Sequence, residues 1–258
     1  MTAALLLLGL LLPAQAHKPA FSGEYDTPDV AWQVQDPEIS IVLYQEITCE
    51  LPQVWLTLDG EAGFPLYIQL GVPVIERLQD YRPSIALVAP GLPSPDMDLP
   101  FDLPDGTGIM VFDTETVEEP GAFYEPFTQT DSWVLVEETV TLPETGQAWL
   151  VAWDPGRQTG KLWVATGTVE DFSDVETSEF IEWSALVKEF HEVDPAMQAA
   201  ARPERVCASE DDDPSALDED ASTGGAPKEG CSTGPAAPGG WVALLLGSMA
   251  LVGRRRTH

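Results

Sequence analysis

The chain has 258 residues, of which 43 are Asp or Glu and 12 are Lys or Arg, so its formal net charge is −31 at pH 7. Every acidic residue lies between positions 17 and 230, whereas three of the basic residues stand together at 254–256. A body this acidic argues against binding to nucleic acid or to anionic membrane surfaces.

Residues 1–16 are predicted to be a signal peptide. A leucine-rich core from Leu5 to Leu12 is followed by Ala14-Gln15-Ala16, the small-x-small pattern that signal peptidase reads. The core is too short to span a bilayer, which favours a cleaved signal over an anchor. We therefore expect the chain to be exported, with His17 as the first residue after cleavage.

Short apolar segments of alternating side chains, separated by turns rich in Pro and Gly, fill the middle of the chain. The predicted strands are 38–48, 54–58, 65–70, 84–88, 108–112, 133–136, 139–142, 147–153 and 161–166. The stretches 89–107 and 113–131 are predicted to be loops. Strands spaced about ten residues apart predict an all-β fold, an antiparallel β-sandwich that is jelly-roll or Greek-key like.

One amphipathic helix is predicted near the C-terminal end of this domain, at about 173–193. Its apolar residues recur at helical spacing, Ser173 and Glu176 fit a capping box, and Pro195 marks a stop. We expect Trp183, Leu186 and Phe190 to be buried where the helix packs on the sandwich. The β-sandwich domain is thus predicted to span residues 17–207, with His191 in a structural role at the edge of the apolar stripe.

Residues 208–230 are predicted to be an acidic, disordered linker, because they carry almost no apolar side chains. The tail at 231–258 follows, with Cys231 in a Gly-Cys-Ser-Thr-Gly motif, a short hydrophobic segment at 241–252 and three arginines. This tail resembles the MYXO-CTERM sorting signal of myxobacterial envelope proteins. The resemblance implies processing near Cys231 by a membrane protease, and display on the cell surface. A plain transmembrane anchor, with the arginines in the cytoplasm, is the alternative.

Residues 145–153 and 160–164 form a predicted hairpin rich in Trp and Val. This hairpin is similar to the end of bacterial pre-peptidase C-terminal (PPC-type) β-sandwich modules, which finish with a strand, a polar turn and a last strand. The resemblance implies an accessory module that aids secretion, folding or binding to extracellular material, and not a catalyst.

Candidate site residues are few. Cys49 and Cys207 form either a disulfide, which export permits, or two buried free thiols. Asp96, Asp98, Asp102 and Asp105 cluster in one loop and offer hard oxygen ligands for Ca²⁺, although a solvated acidic loop has the same composition. Candidate ligand-binding aromatics are Phe123, Tyr124, Phe127 and Trp133, which equally suit the plugging of a core. His17 would be half of a copper site after cleavage, with His191 as the second histidine.

These observations predict a secreted, envelope-displayed, non-enzymatic module with a binding or structural role. Its expected partners are the sorting protease and membrane, through the tail, and extracellular polysaccharide or protein. The alternatives are a secreted hydrolase that uses carboxylates on polysaccharide, and a periplasmic protein that binds Ca²⁺ or copper. No Ser-His-Asp or zinc motif points to a specific reaction.

Overall fold

The computed structural model describes residues 17–201 and 203–208, which contain eleven strands, two short 3₁₀ turns and two α-helices. The strands are β1 Lys18–Phe21, β2 Trp32–Gln33, β3 Ile41–Ile47, β4 Gln53–Gly60, β5 Pro65–Pro73, β6 Ser84–Ala89, β7 Gly108–Phe112, β8 Gly121–Glu125, β9 Thr130–Thr141, β10 Gly146–Trp153 and β11 Gly160–Thr166. The helices are α1 Thr177–Phe190 and α2 Pro195–Ala200, and the 3₁₀ turns are Pro28–Val30 and Glu76–Leu78.

The strands form two sheets. The six-stranded sheet has the order β1-β3-β11-β5-β9-β8, and the five-stranded sheet has the order β2-β4-β10-β6-β7. All pairings are antiparallel except those of the two N-terminal edge strands, because β1 runs parallel to β3 and β2 runs parallel to β4. The described chain is therefore mostly β, in two sheets, which agrees with the predicted all-β, sandwich-like fold.

The main core lies between the two sheets. It is built from alternate residues of strands in both, such as Leu43 and Leu162 from the six-stranded sheet and Leu56, Leu87 and Leu150 from the five-stranded sheet. All five of these side chains are fully buried. Alternation along each strand sends these residues inward, as the sequence pattern requires.

The outer face of the five-stranded sheet is also covered. Trp55, Trp149 and Trp153 form a second apolar cluster there, against side chains of the 92–105 segment. The ring of Phe101 lies edge-on between Trp55 and Trp153, with centroid distances of 5.1 Å to each. This segment, predicted as a loop over the ends of the strands, thus packs on the face of the sheet.

The outer face of the six-stranded sheet is covered by α1. Val187 packs with Val42, Tyr44, Trp163 and Ala165 in a third cluster. Strand β3 is therefore buried on both sides, with its inner face against the main core and its outer face against α1. The apolar residues Val42 and Tyr44 on that face contact the helix side.

Three predicted boundaries differ from the structure. The predicted strands 133–136 and 139–142 belong to one strand, β9, because Glu137 and Glu138 pair with Gln69 and Ile68 and continue the ladder. The stretch 113–131, predicted as a loop, contains β8, which pairs with β9. The predicted hairpin of 147–153 and 161–166 does not form, because β10 and β11 belong to different sheets.

The helical region also begins and ends differently. Asp171 accepts a hydrogen bond from the backbone N–H of Ser173, so residues before α1 form a turn. The capping box consists of Glu176 and Glu179, not Ser173 and Glu176. Pro195, predicted as a stop, begins α2, for which Asp194 is the N-cap residue.

Candidate functional site

A cavity of about 120 Å³ lies between the outer face of the six-stranded sheet and α1. Strands β3, β8, β9 and β11 form its floor and sides. Seven aromatic residues line the wall: Tyr44, Phe123, Phe127, Trp163, Phe172, Phe180 and Trp183. Six polar or titratable residues complete much of the rest: His17, Glu125, Thr128, Thr130, Ser132 and His191.

Strand alternation places the floor of this cavity. Tyr44 and Trp163 are directly paired residues of β3 and β11, and both project to the outer face. Gly71 of β5 makes room for the indole, because a Cβ there would lie 2.1 Å from Cζ2 of Trp163. A larger residue at position 71 would displace the ring that forms the floor.

The helix side of the wall is a group of inclined rings around Phe180. The centroid of Phe180 lies 5.5 Å from that of Phe127, 5.6 Å from that of Phe172 and 5.7 Å from that of Trp183. The planes of Phe180 and Phe127 meet at 71°. Because Phe127 is 50% exposed, this group also forms the rim of the cavity.

A chain of hydrogen bonds crosses the floor of the cavity to its helix side. Trp163 Nε1 donates to Ser132 Oγ at 3.1 Å, and Ser132 Oγ lies 3.1 Å from His191 Nε2. His191 Nδ1 donates to the carbonyl of Val187 at 2.8 Å, so Nε2 of the neutral ring accepts from Ser132. Burial lowers the pKa of His191 to about 4, against the opposing effect of its bond to Val187.

Ser132 and His191 have the connectivity of a nucleophile and its base, but their chemistry favours a structural role. A general base works best when its pKa lies near the working pH, and that of His191 lies well below neutrality. Ser132 also accepts a hydrogen bond from Trp163, which stabilises its oxygen where it is. We interpret the hydrogen bonds from Trp163 to Ser132 and from Ser132 to His191 as a structural link between β11, β9 and the end of α1.

His17 lies at another part of the wall. Its Nδ1 atom lies 2.5 Å from Ser40 Oγ, whereas its buried Nε2 atom has no hydrogen-bond partner among the described residues. Burial lowers the pKa of His17 to about 4, against the field of Glu170, so the ring is neutral at pH 7. Both ring nitrogens of His191 are engaged in hydrogen bonds, and the copper site at His17 and His191 stays a prediction.

Glu125 is the one carboxylate among the described residues that line the cavity. Its Oε1 atom accepts a hydrogen bond of 2.9 Å from the backbone N–H of Phe127. Burial raises the pKa of Glu125, and the field of Glu170 adds to that effect, while the bond from Phe127 opposes it. Within the described part of the chain, Glu125 has no ion-pair partner.

Of the four aromatic residues predicted to bind a ligand, two line the cavity and two lie outside it. Phe123 and Phe127 line the cavity. Tyr124 is 54% exposed and lies outside it, and Trp133 packs against the main core. Tyr44, Trp163, Phe180 and Trp183 line the cavity but were not predicted as site residues, and Trp183 was predicted only as part of the helix face that packs on the sandwich.

The predicted acidic calcium residues lie in the segment that covers the five-stranded sheet. Asp96, Asp98, Asp102 and Asp105 are all exposed. Among residues 17–201 and 203–208, no three His, Cys, Asp or Glu side chains are grouped as metal ligands. The calcium site stays a prediction, and no further step here depends on it.

Cys49 and Cys207 form a disulfide with a Cα–Cα distance of 5.5 Å. It joins the turn after β3 to the segment after α2, whose backbone also bonds to the β10–β11 turn through Thr159 N and Arg205 O at 2.9 Å. Cys231, the predicted processing residue, lies outside the described residues, as do the signal peptide and the hydrophobic tail.

Comparison of the chain with protein-family models gave no match, and a search of curated proteins also gave none. Within the described ranges, no helix is long and apolar enough to cross a membrane.

Proposed function

We propose that this protein is an exported, envelope-displayed, non-enzymatic module that binds extracellular material in the cavity beneath α1. The predicted signal peptide and the Cys231 tail support export and display. The covered cavity supports binding. The packing of Val187 of α1 on Val42, Tyr44 and Trp163 places that site on the outer face of the six-stranded sheet.

We also propose that the fold is a jelly roll with α1 packed on it as its C-terminal helix. Four nested antiparallel pairs support this: β3 with β11, β4 with β10, β5 with β9, and β6 with β7. Such nesting is what results when one long hairpin folds over into two four-stranded sheets. Jelly rolls occur in many lectin domains, where binding and not catalysis is the function.

The single observation that carries the binding function is the aromatic lining of the cavity beneath α1. On the outer face of the five-stranded sheet, Phe101 lies between Trp55 and Trp153, and the recess there has Trp153 as its one aromatic lining residue among those described. On the six-stranded sheet, seven aromatic residues line the cavity. Ligand sites are concave and mostly apolar, with a few placed polar groups, and this cavity has that composition.

The polysaccharide hydrolase is the weaker alternative. Glycoside hydrolysis uses a pair of carboxylates on either side of the scissile bond. Of the described lining residues only Glu125 supplies one. A binding role needs no second carboxylate, so the cavity favours the module over the enzyme.

Phe123→Trp provides a test, because the larger ring is expected to fill part of the cavity. The purified protein is incubated with small molecules from extracellular material, separated from unbound compounds, and the retained compounds are identified by mass spectrometry. Tyr124→Trp is the matched control, since Tyr124 is the next residue along the strand and its side chain is exposed outside the cavity. Retention by the wild type and Tyr124→Trp, and its loss in Phe123→Trp, is expected. Equal retention by all three would show that the cavity is not the binding site.

A further inference from the structure

We propose that the cavity beneath α1 recognises a quaternary ammonium group, such as the trimethylammonium head of choline and related compounds. This inference rests on the proposed binding function and specifies the chemistry of the ligand. It depends on three features of the site: its aromatic walls, its unpaired carboxylate and its size.

Five of the aromatic rings that line the cavity are inclined to one another. Phe127 and Trp183 meet Phe180 at 71° and 69°, and Phe123 meets Trp163 at 55°. These angles describe how the rings pack on one another, and their shared place in the wall brings several aromatic side chains to one cavity. A ring face attracts a cation through its quadrupole, and aromatic cages of this kind recognise quaternary ammonium ligands.

The charges around the cage favour a cation over a neutral or anionic ligand. Glu125 lies in the wall without an ion-pair partner in the described residues, and Glu170 adds to the negative field there. None of the described lining side chains is Lys or Arg, and the positive charge expected at this wall is the α-amino group that signal cleavage would create on His17. The nearby Lys161 is already paired with Glu192 at 2.7 Å. A bound cation would lie close to Glu125, and the net charge of −31 would concentrate cations around the protein.

Size and hydrogen bonding narrow the class to methylated ammonium. A trimethylammonium group is similar in size to benzene, which an apolar cavity of about 150 Å³ accommodates, and the volume here is about 120 Å³. Primary ammonium groups need three acceptors, whereas Ser132 is already bonded to His191 and Thr128 to Thr130, which leaves Glu125 and Nε2 of His17. A quaternary ammonium needs none. The free Nε2 atom of His17 remains available for a hydroxyl elsewhere on the ligand.

The inference is tested with choline and 3,3-dimethylbutan-1-ol, its neutral carbon analogue of nearly the same shape. Isothermal titration calorimetry with the full-length protein is expected to show choline binding at least about tenfold more tightly, because a desolvated cation–π site discriminates by this much. Glu125→Gln is expected to reduce that preference severalfold. Glu119→Gln, an exposed carboxylate on a nearby loop, is the matched control and is expected to keep it.

Equal affinity for the two probes, or a preference that Glu125→Gln leaves unchanged, would overturn the ammonium assignment. If both probes bind the wild type and neither binds Phe123→Trp, the cavity is still the binding site. The proposed function would then survive. Failure of both probes to bind would also overturn the assignment. The proposed function would then fail only if Phe123→Trp retained extracellular compounds as the wild type does. Melting temperatures of the variants establish that each is folded.

Discussion

Arg77 and Glu192 form a two-pronged ion pair, with Nη1–Oε2 and Nη2–Oε1 distances of 2.6 and 2.5 Å. Glu192 is buried directly after α1 and has a left-handed backbone with φ of 51°. Lys161 and Glu204 extend the pair into a network, since Lys161 binds Glu192 and Glu204 binds Arg77. The network holds the end of α1 against the sheet beside the cavity. The backbone strain at Glu192 is thus offset by charge pairing.

Glu192→Ala is therefore expected to destabilise the protein by about 2–4 kcal/mol, because it leaves two cations without their shared buried partner. Urea denaturation measures this. Glu189→Ala, an exposed residue of the same helix, is the control and should change stability by about 0.5 kcal/mol or less. Equal effects of the two substitutions would show that the network contributes nothing beyond a surface charge.

The Arg77–Glu192 pair also predicts how the stability of the protein changes in acid. Burial alone would raise the pKa of Glu192, but hydrogen bonds from Arg77 and Lys161 outweigh burial and leave it below the ordinary value of 4.5. A carboxyl group with a lowered pKa stabilises the fold above its ordinary value, and this contribution disappears as the pH falls through the folded-state value. The wild type should therefore lose its advantage over Glu192→Ala in strong acid.

The buried His191 predicts a second loss of stability on acidification, which begins at a higher pH than the loss due to Glu192. The pKa of His191 is about 4 in the folded protein, and its ordinary value is 6.5. Between these two pH values His191 is therefore protonated in the unfolded chain and neutral in the folded one. Stability should be complete above 6.5 and should fall as the pH drops towards 4. Lys161 and Asp131 act on the ring in opposite directions and leave burial as the main cause.

His191→Gln removes this titration while it keeps a polar side chain. Its free energy of unfolding is expected to be lower at neutral pH but flatter between pH 6.5 and 4. The remaining slope should come largely from His17, whose pKa is lowered in the same way. Chemical denaturation at a series of pH values measures the slopes. A variant with the slope of the wild type would mean that His191 is accessible to protons in the folded state.

The tail makes a prediction about processing. Cys231→Ala is expected to block maturation and to leave a full-length precursor at the membrane, because the sorting resemblance places processing at this residue. Immunoblotting of membrane and surface fractions distinguishes precursor from product. Cys49→Ala is a useful comparison, since it removes a cysteine that belongs to the Cys49–Cys207 bridge instead. Normal display of Cys231→Ala would leave a plain anchor as the better interpretation.

The sequence predicts strands well where the signal is local. Trp55, Leu56 and Leu58 lie in an apolar run bounded by turn residues, and β4 forms there. It predicts poorly where pairing is distant. Strand β8 contains Ala122, Phe123 and Tyr124, which show no clear alternation, and it forms because β9 pairs with it.

The candidate site was largely out of reach of the sequence. Tyr44 and Trp163 are 119 positions apart, and their shared outer face becomes a floor only after β3 pairs with β11. Helical periodicity pointed to Trp183, Leu186 and Phe190 as buried, but all three are half-buried and Val187 is the buried residue of α1. Trp183 lines the cavity, and Phe190 packs at the edge of the third cluster.

The most direct test of the cavity as a site for quaternary ammonium uses the indole N–H signals of the tryptophans in a two-dimensional NMR spectrum. Trp163 and Trp183 line the cavity, whereas Trp55, Trp149 and Trp153 cover the opposite sheet and act as internal controls. Addition of choline to saturation is expected to shift the signals of Trp163 and Trp183 and to leave the three control signals in place. Shifts confined to the control tryptophans, or no shift at Trp163 and Trp183 under saturating choline, would contradict the account.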